Sequence, residues 1–364
     1  MHHVNAALLL LVICSLLPLL FTFQARKQAS KTALHHRDYF YVGQQHIVVT
    51  KSHGQIYVEH PTPPKVTHPL PLLVIPGRGM TGANFLNTPD GRPGWADLLL
   101  DLGYELYIID QPARARSPWI QGIDRPLSSS SVERVEQRYT ASQLYPDLWE
   151  GATLHTQWPG NGIRGDPIFD RFYASMDMAI VGPMLLDTIG VKTRHPITHS
   201  QSGQFGWILA DARPNLVQAI IAIETIGPPF TNAVFGTELA RPFGLTEVPL
   251  TFSPPITSAA DLQPVDSELV GSDPSANFTC FRLASRRQLV NLMDAPVLIV
   301  TGDASYHTVY DGCTAEFLSR ASVPVEHVQL GDVGIYGNGH MMFLELNADI
   351  ILHQVLLPFI KNVS

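Results

Sequence analysis

A six-residue stretch from Thr198 to Gly203 constrains the fold more than any other part of the sequence. It reads Thr-His-Ser-Gln-Ser-Gly, follows a short apolar run that ends at Ile197, and precedes an apolar pattern with helical spacing. A serine flanked by small residues at a strand-to-helix junction is the pattern of a nucleophile elbow, a sharp turn whose central residue is strained. Ser200 is therefore the candidate nucleophile, and Ser202 is one of the small residues that permit the turn.

Apolar runs typical of buried strands alternate with helical patterns along the chain. Continuous runs of Leu, Val and Ile predict parallel strands that are covered on both faces, and their alternation with helices predicts an α/β fold with a mostly parallel central sheet flanked by helices. After an antiparallel lead-in at 39–59, strands are predicted at 72–75, 104–109, 195–199, 217–223, 297–300 and 325–330, and helices at 93–102, 170–189, 204–212, 277–292, 315–321 and 341–360.

Two long segments interrupt this alternation. Residues 113–167 and 225–274 are polar, aromatic and Pro-rich, and we expect them to be lid insertions within one domain that spans 38–364. Their aromatic side chains are candidates for an apolar substrate pocket, although core packing is the commoner role for any one of them. These residues are Trp119, Tyr145, Trp149, Trp158, Phe230, Phe235 and Phe243.

The N-terminus is separate from this domain. Residues 6–23 form an uncharged, mostly apolar run that is followed by Arg26 and Lys27. The length lies between that of a signal-peptide core and that of a minimal membrane span. Residues 1–25 are therefore predicted to direct the chain into the secretory pathway, either as a cleaved signal peptide or as a retained signal-anchor that holds the protein at the membrane.

Composition and short motifs indicate the cellular compartment and limit the kinds of partner that the protein can bind. Asn277 and Asn362 begin glycosylation sequons, and Cys280 and Cys313 can form a disulfide in the secretory pathway. The net charge of −8 comes without a basic block, which argues against a nucleic-acid partner. Three cysteines without a Cys-x-x-Cys pair argue against a structural zinc site, and no metal or organic cofactor is implied.

A hydrolytic serine needs a base and oxyanion donors, and the sequence offers candidates for both. His340 lies in a glycine-flanked loop after the last predicted strand and before the last predicted helix, where the order serine, acid, histidine places the base. The oxyanion donors are predicted to be the backbone N–H groups of Gln201, which follows the nucleophile, and of Arg78 in the Pro-Gly-Arg-Gly loop after an earlier strand.

Two residues are candidates for the acid that orients the base. Glu224 closes the apolar strand that follows the elbow helix, and Asp303 follows the later strand. Both positions are at carboxyl ends of predicted neighbouring strands, so the physical argument alone leaves the choice open. Burying the carboxyl group of Glu224 costs free energy unless it has a partner such as His340. A purely structural role is therefore less favoured for Glu224 than for Asp303.

Several motifs together resemble a family of bacterial and fungal α/β-hydrolase esterases, over about residues 70–345. The similar segments are Gly79-Met-Thr-Gly82, Thr88-Pro-Asp-Gly-Arg-Pro-Gly-Trp95, Tyr107-Ile-Ile-Asp-Gln-Pro-Ala-Arg-Ala-Arg-Ser117, the elbow, Phe243-Gly-Leu-Thr-Glu-Val-Pro-Leu-Thr251 and Gly337-Asn-Gly-His-Met-Met342. The resemblance implies the α/β-hydrolase fold and a glutamate as triad acid, which corresponds to Glu224. The chain departs from the family in having Pro-Gly-Arg-Gly for His-Gly-Gly-Gly, and Ala-Arg-Ala-Arg-Ser for Gly-Arg-Gly-Arg-Ser.

The resulting expectation is a serine hydrolase that cleaves a small-molecule ester through an acyl-enzyme with a Ser200–His340–Glu224 triad. A lactonase, or a hydrolase or cyclase that tailors a secondary metabolite, would use the same triad. A membrane-anchored binding protein that has lost activity is a different class, and the intact set of serine, histidine and acid argues against it.

Overall fold

An eight-stranded sheet forms the centre of the protein. The computed structural model describes residues 34–43, 45–48, 51–122, 124, 130–176, 195–267 and 279–363. In chain order the strands are β1 (His36–Val42), β2 (Gln45–Val48), β3 (Lys51–His53), β4 (Ile56–Thr62), β5 (Leu72–Ile75), β6 (Leu106–Asp110), β7 (His195–His199), β8 (Ile220–Ile223), β9 (Phe252–Ser253), β10 (Pro264–Asp266), β11 (Phe281–Leu283), β12 (Gln288–Leu289), β13 (Val297–Thr301) and β14 (Val325–Gln329).

The order across the central sheet is β1-β4-β6-β5-β7-β8-β13-β14. β4 pairs antiparallel with β1 and β6, whereas the other neighbours in the sheet pair in parallel. The predicted antiparallel lead-in and mostly parallel sheet are therefore confirmed. The carboxyl ends of the parallel strands lie along one edge, where open α/β sheets bind ligands.

Helices cover the sheet on both faces. They are α1 (Trp95–Asp101), α2 (Val132–Val135), α3 (Pro167–Ala174), α4 (Gly203–Ala212), α5 (Asp311–Arg320), α6 (Ala348–Ile351) and α7 (Leu357–Val363). One face packs against a cluster around Trp95, Phe85 and Phe343, and the other against a cluster around Trp207 and Phe317. Because both faces are covered, β5, β8 and β13 carry apolar side chains at successive positions, as the sequence predicted.

Two predicted helices differ from the structure. The helix predicted at 277–292 is wrong for its described part, which forms the short strands β11 and β12 in antiparallel pairs with β10 and β9. The closing helix begins at Ala348 and not at 341, because the buried carboxylate of Glu345 accepts hydrogen bonds from the Gly339 amide and the Asn338 side chain and so closes a turn. The helix predicted at 170–189 overlaps α3 only over residues 170–174, because α3 ends at Ala174, and residues 177–194 lie outside the described residues.

The two predicted lid insertions are largely irregular where they are described. The first contains short helical turns, including a π-helical turn at Glu136–Thr140, and the second contains β9 and β10. A disulfide joins Cys280, just beyond the second insertion, to Cys313 in α5, with the two Cα atoms 5.4 Å apart. Because it ties this segment to α5, it holds β11 near the sheet. The domain limits and the lid role stay predictions.

The N-terminal segment 1–25 and Asn277 lie outside the described residues. Asn362 is exposed in α7. Within the part of the chain that the structure describes, every helix is too short or too polar to cross a membrane.

Candidate active site

Ser200 occupies a sharp turn between β7 and α4. Its φ angle is +53°, in the left-handed region that a serine rarely adopts. The hydroxyl of Ser202 accepts a hydrogen bond from the His199 amide at 2.8 Å and lies 2.7 Å from the carbonyl oxygen of Ile75. Because Ser202 is fully buried and fastens the turn to β5, Ser200 is the serine of this segment that faces a cavity.

Glu224 and His340 meet at the carboxyl edge of the sheet. The Nδ1 atom of His340 lies 3.2 Å from Oε2 of Glu224, and both side chains are buried. Glu224 follows β8 with a φ of +48°, so the chain turns sharply there. Its carboxylate also accepts hydrogen bonds from the Gly302 amide at 2.6 Å and from the Ser305 hydroxyl.

The pKa of the Glu224 carboxyl is raised well above its usual value, first by burial and then by the negative charge of Asp311. The hydrogen bonds from Ser305 and Gly302 act in the opposite direction, because they stabilise the carboxylate. The acid is therefore held in one orientation by donors that favour its charged form.

Asp303, the alternative acid, has a different partner. Its Oδ1 atom accepts a hydrogen bond of 3.0 Å from the backbone N–H of Asn338. Asp303 therefore anchors the loop that leads to His340. Within the described residues, the carboxylate that contacts the His340 ring is that of Glu224.

The backbone of His340 is held by the side chain of His199, the last residue of β7. His199 donates a hydrogen bond of 3.0 Å from Nε2 to the carbonyl oxygen of His340, which leaves its own Nδ1 unprotonated. Burial is the main reason that the pKa of His199 is lowered to about 3. Burial also lowers the pKa of His340 well below its usual value, and the nearby His199 and His307 add to the shift. Both imidazoles are thus neutral at ordinary pH.

The loop before His340 is closed by a buried cluster that the sequence analysis missed. Glu345 accepts a hydrogen bond from Nε2 of His155 at 2.8 Å and another from the Gly339 amide at 3.0 Å. Asn338 donates to the other carboxylate oxygen at 2.7 Å. Glu345 and His155 are 190 residues apart, so no local pattern links them. The only signal was an acidic residue inside an otherwise apolar segment, Met-Met-Phe-Leu-Glu-Leu.

A buried arginine connects the two predicted oxyanion segments. Arg114 donates to the carbonyl oxygen of Gly77 at 2.7 Å and to the side-chain oxygen of Gln201 at 2.8 Å. It is fully buried. The Gln111 side chain also donates to the carbonyl oxygen of Pro76. These contacts hold the backbone carbonyl groups of Pro76 and Gly77, which precede Arg78, and the side chain of Gln201.

The sequence analysis also did not identify His307, another histidine whose ring contacts that of His340. Its ring stacks on that of His340 with centroids 4.8 Å apart and planes at 17°. Nδ1 contacts Asp311 at 3.0 Å, and Nε2 accepts from the Tyr310 hydroxyl at 3.0 Å. Glu224, His307 and His340 offer ligand atoms within 4.8 Å of one another. These atoms have partners within the protein: His340 Nδ1 contacts Glu224, and the ring nitrogens of His307 contact Asp311 and Tyr310.

A cavity of about 240 Å³ opens beside Ser200. Gln201, Arg78 and Arg138 contribute to its walls, with aromatic groups that include Tyr139, Phe235 and Tyr306.

Most of the aromatic residues predicted to line a pocket lie elsewhere. Phe235 lines the cavity, and Trp149 packs behind it against Phe235 and Tyr306. The others are core or surface residues: Trp158 packs on Phe172, Phe230 on Phe317, Phe243 joins the second core cluster, Trp119 is exposed and Tyr145 lies outside the cavity wall.

The fold, with a serine turn after a central strand and a histidine–glutamate pair at the same edge, defines an α/β-hydrolase. No family model matches the chain. Over 337 residues the chain is 41% identical to the protein named Probable secreted lipase phiG from Fungal sp. (strain ATCC 74256), and the match covers 89% of each sequence. The chain therefore belongs to the esterase and lipase family of α/β-hydrolases, and it is a carboxylic ester hydrolase.

A solved structure described as that of a novel bacterial esterase shares the fold. It superposes with a TM-score of 0.59 at 18% sequence identity, over 93% of this chain and 99% of that chain.

Proposed function

We propose that the protein hydrolyses esters through an acyl-enzyme on Ser200, with His340 as the general base and Glu224 as the acid that orients it. The observation that carries the proposal is the buried contact of 3.2 Å between His340 Nδ1 and Glu224 Oε2, beside a serine held at a φ of +53°. A carboxylate at Nδ1 fixes the tautomer that leaves the Nε2 lone pair free to accept a proton.

In this mechanism Nε2 of His340 takes the proton of the Ser200 hydroxyl as Oγ attacks the ester carbonyl. Within the described residues, that nitrogen contacts the Tyr306 hydroxyl at 3.4 Å and has no hydrogen bond to Ser200. The contact is long, and a substrate in the cavity would bring the serine hydroxyl into its place, since catalytic hydrogen bonds commonly tighten in the substrate complex. Burial holds the pKa of Tyr306 well above its usual value, so its hydroxyl stays protonated and does not act as a competing base.

The oxyanion of the tetrahedral intermediate would be bound by the backbone N–H groups of Gln201 and Arg78. The support for this assignment is the clamp that Arg114 forms between Gly77 and the Gln201 side chain. Donors that are fixed before the reaction stabilise developing charge without reorganisation, and one such donor contributes roughly 3–4 kcal/mol to the transition state.

Glu224 is proposed as the acid in preference to Asp303, because the Asp303 carboxylate is engaged by the Asn338 amide. The imidazolium that forms during attack would be stabilised by the Glu224 carboxylate, whose Ser305 and Gly302 donors favour the negative charge. As the first tetrahedral intermediate collapses to the acyl-enzyme, the His340 imidazolium gives its proton to the oxygen of the leaving alcohol. In deacylation His340 takes a proton from water as the water oxygen attacks the acyl carbon, and it returns that proton to Ser200 Oγ when the carboxylic acid leaves.

A fluorophosphonate label tests the nucleophile. Wild-type protein should be labelled and should hydrolyse a para-nitrophenyl butyrate, whereas Ser200→Ala should lose the label and on the order of 10³-fold or more of the turnover. Ser202→Ala is the matched control: its hydroxyl is buried and fastens the turn, so a folded Ser202→Ala protein should still be labelled. Equal labelling of Ser200→Ala and wild type would contradict the proposal.

A further inference from the structure

The cavity beside Ser200 carries positive charge in its walls. Arg78, which is exposed, and Arg138, which is half-buried, both line it. Arg134 lies one helical turn before Arg138 and adds to the same positive potential, because all three arginines oppose the upward pKa shift that burial imposes on Tyr139. Tyr139 in turn stacks on the His340 ring, with centroids 5.1 Å apart. The positive charge therefore lies close to the proposed base.

Within the part of the chain that the structure describes, no carboxylate lies within 4.0 Å of the guanidinium groups of Arg78 or Arg138. The buried carboxylates nearby have other partners: Glu224 binds Gly302, Ser305 and His340, and Asp311 binds Thr301 and His307.

Arg138 is held in place although no carboxylate of the described residues lies within 4.0 Å of its guanidinium group. Its guanidinium group lies 3.7 Å from the ring centroid of Phe235, itself a wall of the cavity. The Nε atom is buried and, among the described residues, has no hydrogen-bond partner. Burial lowers the pKa of Arg138, and the charges of Arg134 and Arg78 lower it further. A buried charged donor without an acceptor is costly, so an acceptor that enters with the substrate would relieve that cost.

From these observations we propose that the preferred substrate is an ester that carries an anionic group, a carboxylate or a phosphate, which Arg138 and the side chain of Arg78 bind beside the scissile bond. This inference rests on the proposed function of the Ser200 site. Arginine suits the task because its planar donors pair with both oxygens of a carboxylate or phosphate. An uncharged ester of the same shape would leave the buried Nε of Arg138 without an acceptor.

Isosteric ester pairs test the inference on the full-length protein. For the acyl side, the pair is the para-nitrophenyl monoester of glutaric acid and the para-nitrophenyl ester in which an isopropyl group replaces the free carboxylate. For the alcohol side, the pair is meta-carboxyphenyl pentanoate and meta-isopropylphenyl pentanoate. The readout is the ratio of kcat/KM for the anionic ester to that for its neutral partner, which cancels any loss of folded protein.

In wild type the ratio should exceed one for at least one pair, which also identifies the side of the ester that bears the charge. Arg138→Gln should lower that ratio by about 10- to 100-fold, as expected for loss of a hydrogen bond between charged groups, and Arg138→Lys should restore part of it. Arg78→Gln, which keeps the backbone amide, should lower the ratio in the same direction. Arg213→Gln, an exposed arginine at the end of α4, is the control that should leave it unchanged.

The outcomes separate the two proposals. A wild-type ratio below one for both pairs, or ratios unaffected by Arg138→Gln, would overturn the anionic substrate class while leaving ester hydrolysis at Ser200 intact. Failure of wild type to hydrolyse any of the four esters, together with no fluorophosphonate labelling, would overturn the proposed function and this inference with it.

Discussion

The buried guanidinium group of Arg114 donates a hydrogen bond of 2.8 Å to the side-chain oxygen of Gln201, the residue that follows the serine of the elbow. The same group binds the carbonyl oxygen of Gly77, next to Arg78. One side chain thus links the backbone of the loop after β5 to the side chain of the residue that follows the elbow serine.

Replacing Arg114 should impair turnover more than substrate binding. In Arg114→Met we expect kcat to fall about 100-fold with a smaller change in KM, because a small displacement of an oxyanion donor is felt mainly in the transition state. Arg114→Lys should recover part of the loss, since it can still bind one of the two oxygens. Steady-state kinetics and thermal melting should be measured together. A fall in kcat no larger than the loss of folded protein would contradict this role.

Replacing the carboxylate by an amide should lower kcat far more at Glu224 than at Asp303. Glu224→Gln keeps the shape of the acid but cannot stabilise the imidazolium, and kcat should fall by about 10⁴-fold. Asp303→Asn weakens one hydrogen bond to the Asn338 amide, a change of about 1 kcal/mol, so kcat should fall by less than about tenfold. A greater loss of kcat in Asp303→Asn than in Glu224→Gln would reverse the assignment of the acid.

Stability should decline in acid because of the buried imidazoles. The pKa of His199 is about 3 in the folded protein and 6.5 in its ordinary state, so between these values the unfolded chain binds a proton that the folded chain does not. The free energy of unfolding therefore decreases as the pH falls through this window, by up to about 1.4 kcal/mol per pH unit for this one group. His340, whose pKa is also lowered, adds a shift of the same sign.

Urea denaturation at a series of pH values within that window measures the slope. His199→Asn has no titrating group at this position, so its free energy of unfolding should depend less steeply on pH than that of wild type, whatever its absolute stability. Equal slopes in the two proteins would show that His199 does not titrate as its burial implies.

Two alanines around Arg114 adopt backbone conformations that favour glycine. Ala113 has a φ of +55° and Ala115 a φ of +44°, at positions where the esterases that this sequence resembles usually have glycine. Ala115 is exposed, so Ala115→Gly should raise the free energy of unfolding by about 1 kcal/mol, the cost of the left-handed conformation.

Ala113 provides the matched comparison. It is buried, with 3% of its surface exposed, so Ala113→Gly also removes a buried methyl group worth about 0.8 kcal/mol, and the two effects should nearly cancel. Equilibrium unfolding in urea checks both variants. A destabilised Ala115→Gly protein would contradict the prediction.

Much of the scaffold was predictable because it depends on local patterns. The runs at β5, β8 and β13 contain apolar residues at successive positions, as strands covered on both faces require, and the structure has strands there. The helix predicted at 277–292 was wrong because spacing alone does not distinguish a short amphipathic helix from two short strands. Pairing with β10 and β9 decided the structure of that segment.

The sequence by itself determined the elbow serine and the loop histidine, because each depends on its immediate neighbours: small residues around Ser200 and glycines before His340. Only the tertiary structure decided which acid contacts that histidine. Glu224 and Asp303 both follow strands at the same sheet edge, and those strands, β8 and β13, are neighbours. The chain turns sharply at Glu224, and its carboxylate contacts His340, whereas the carboxylate of Asp303 binds the Asn338 amide. Local sequence patterns could not predict the contacts of Arg114 or, among the described residues, the lack of an acceptor for Arg138 Nε. Both depend on which residues, distant in sequence, come together at the carboxyl edge of the sheet.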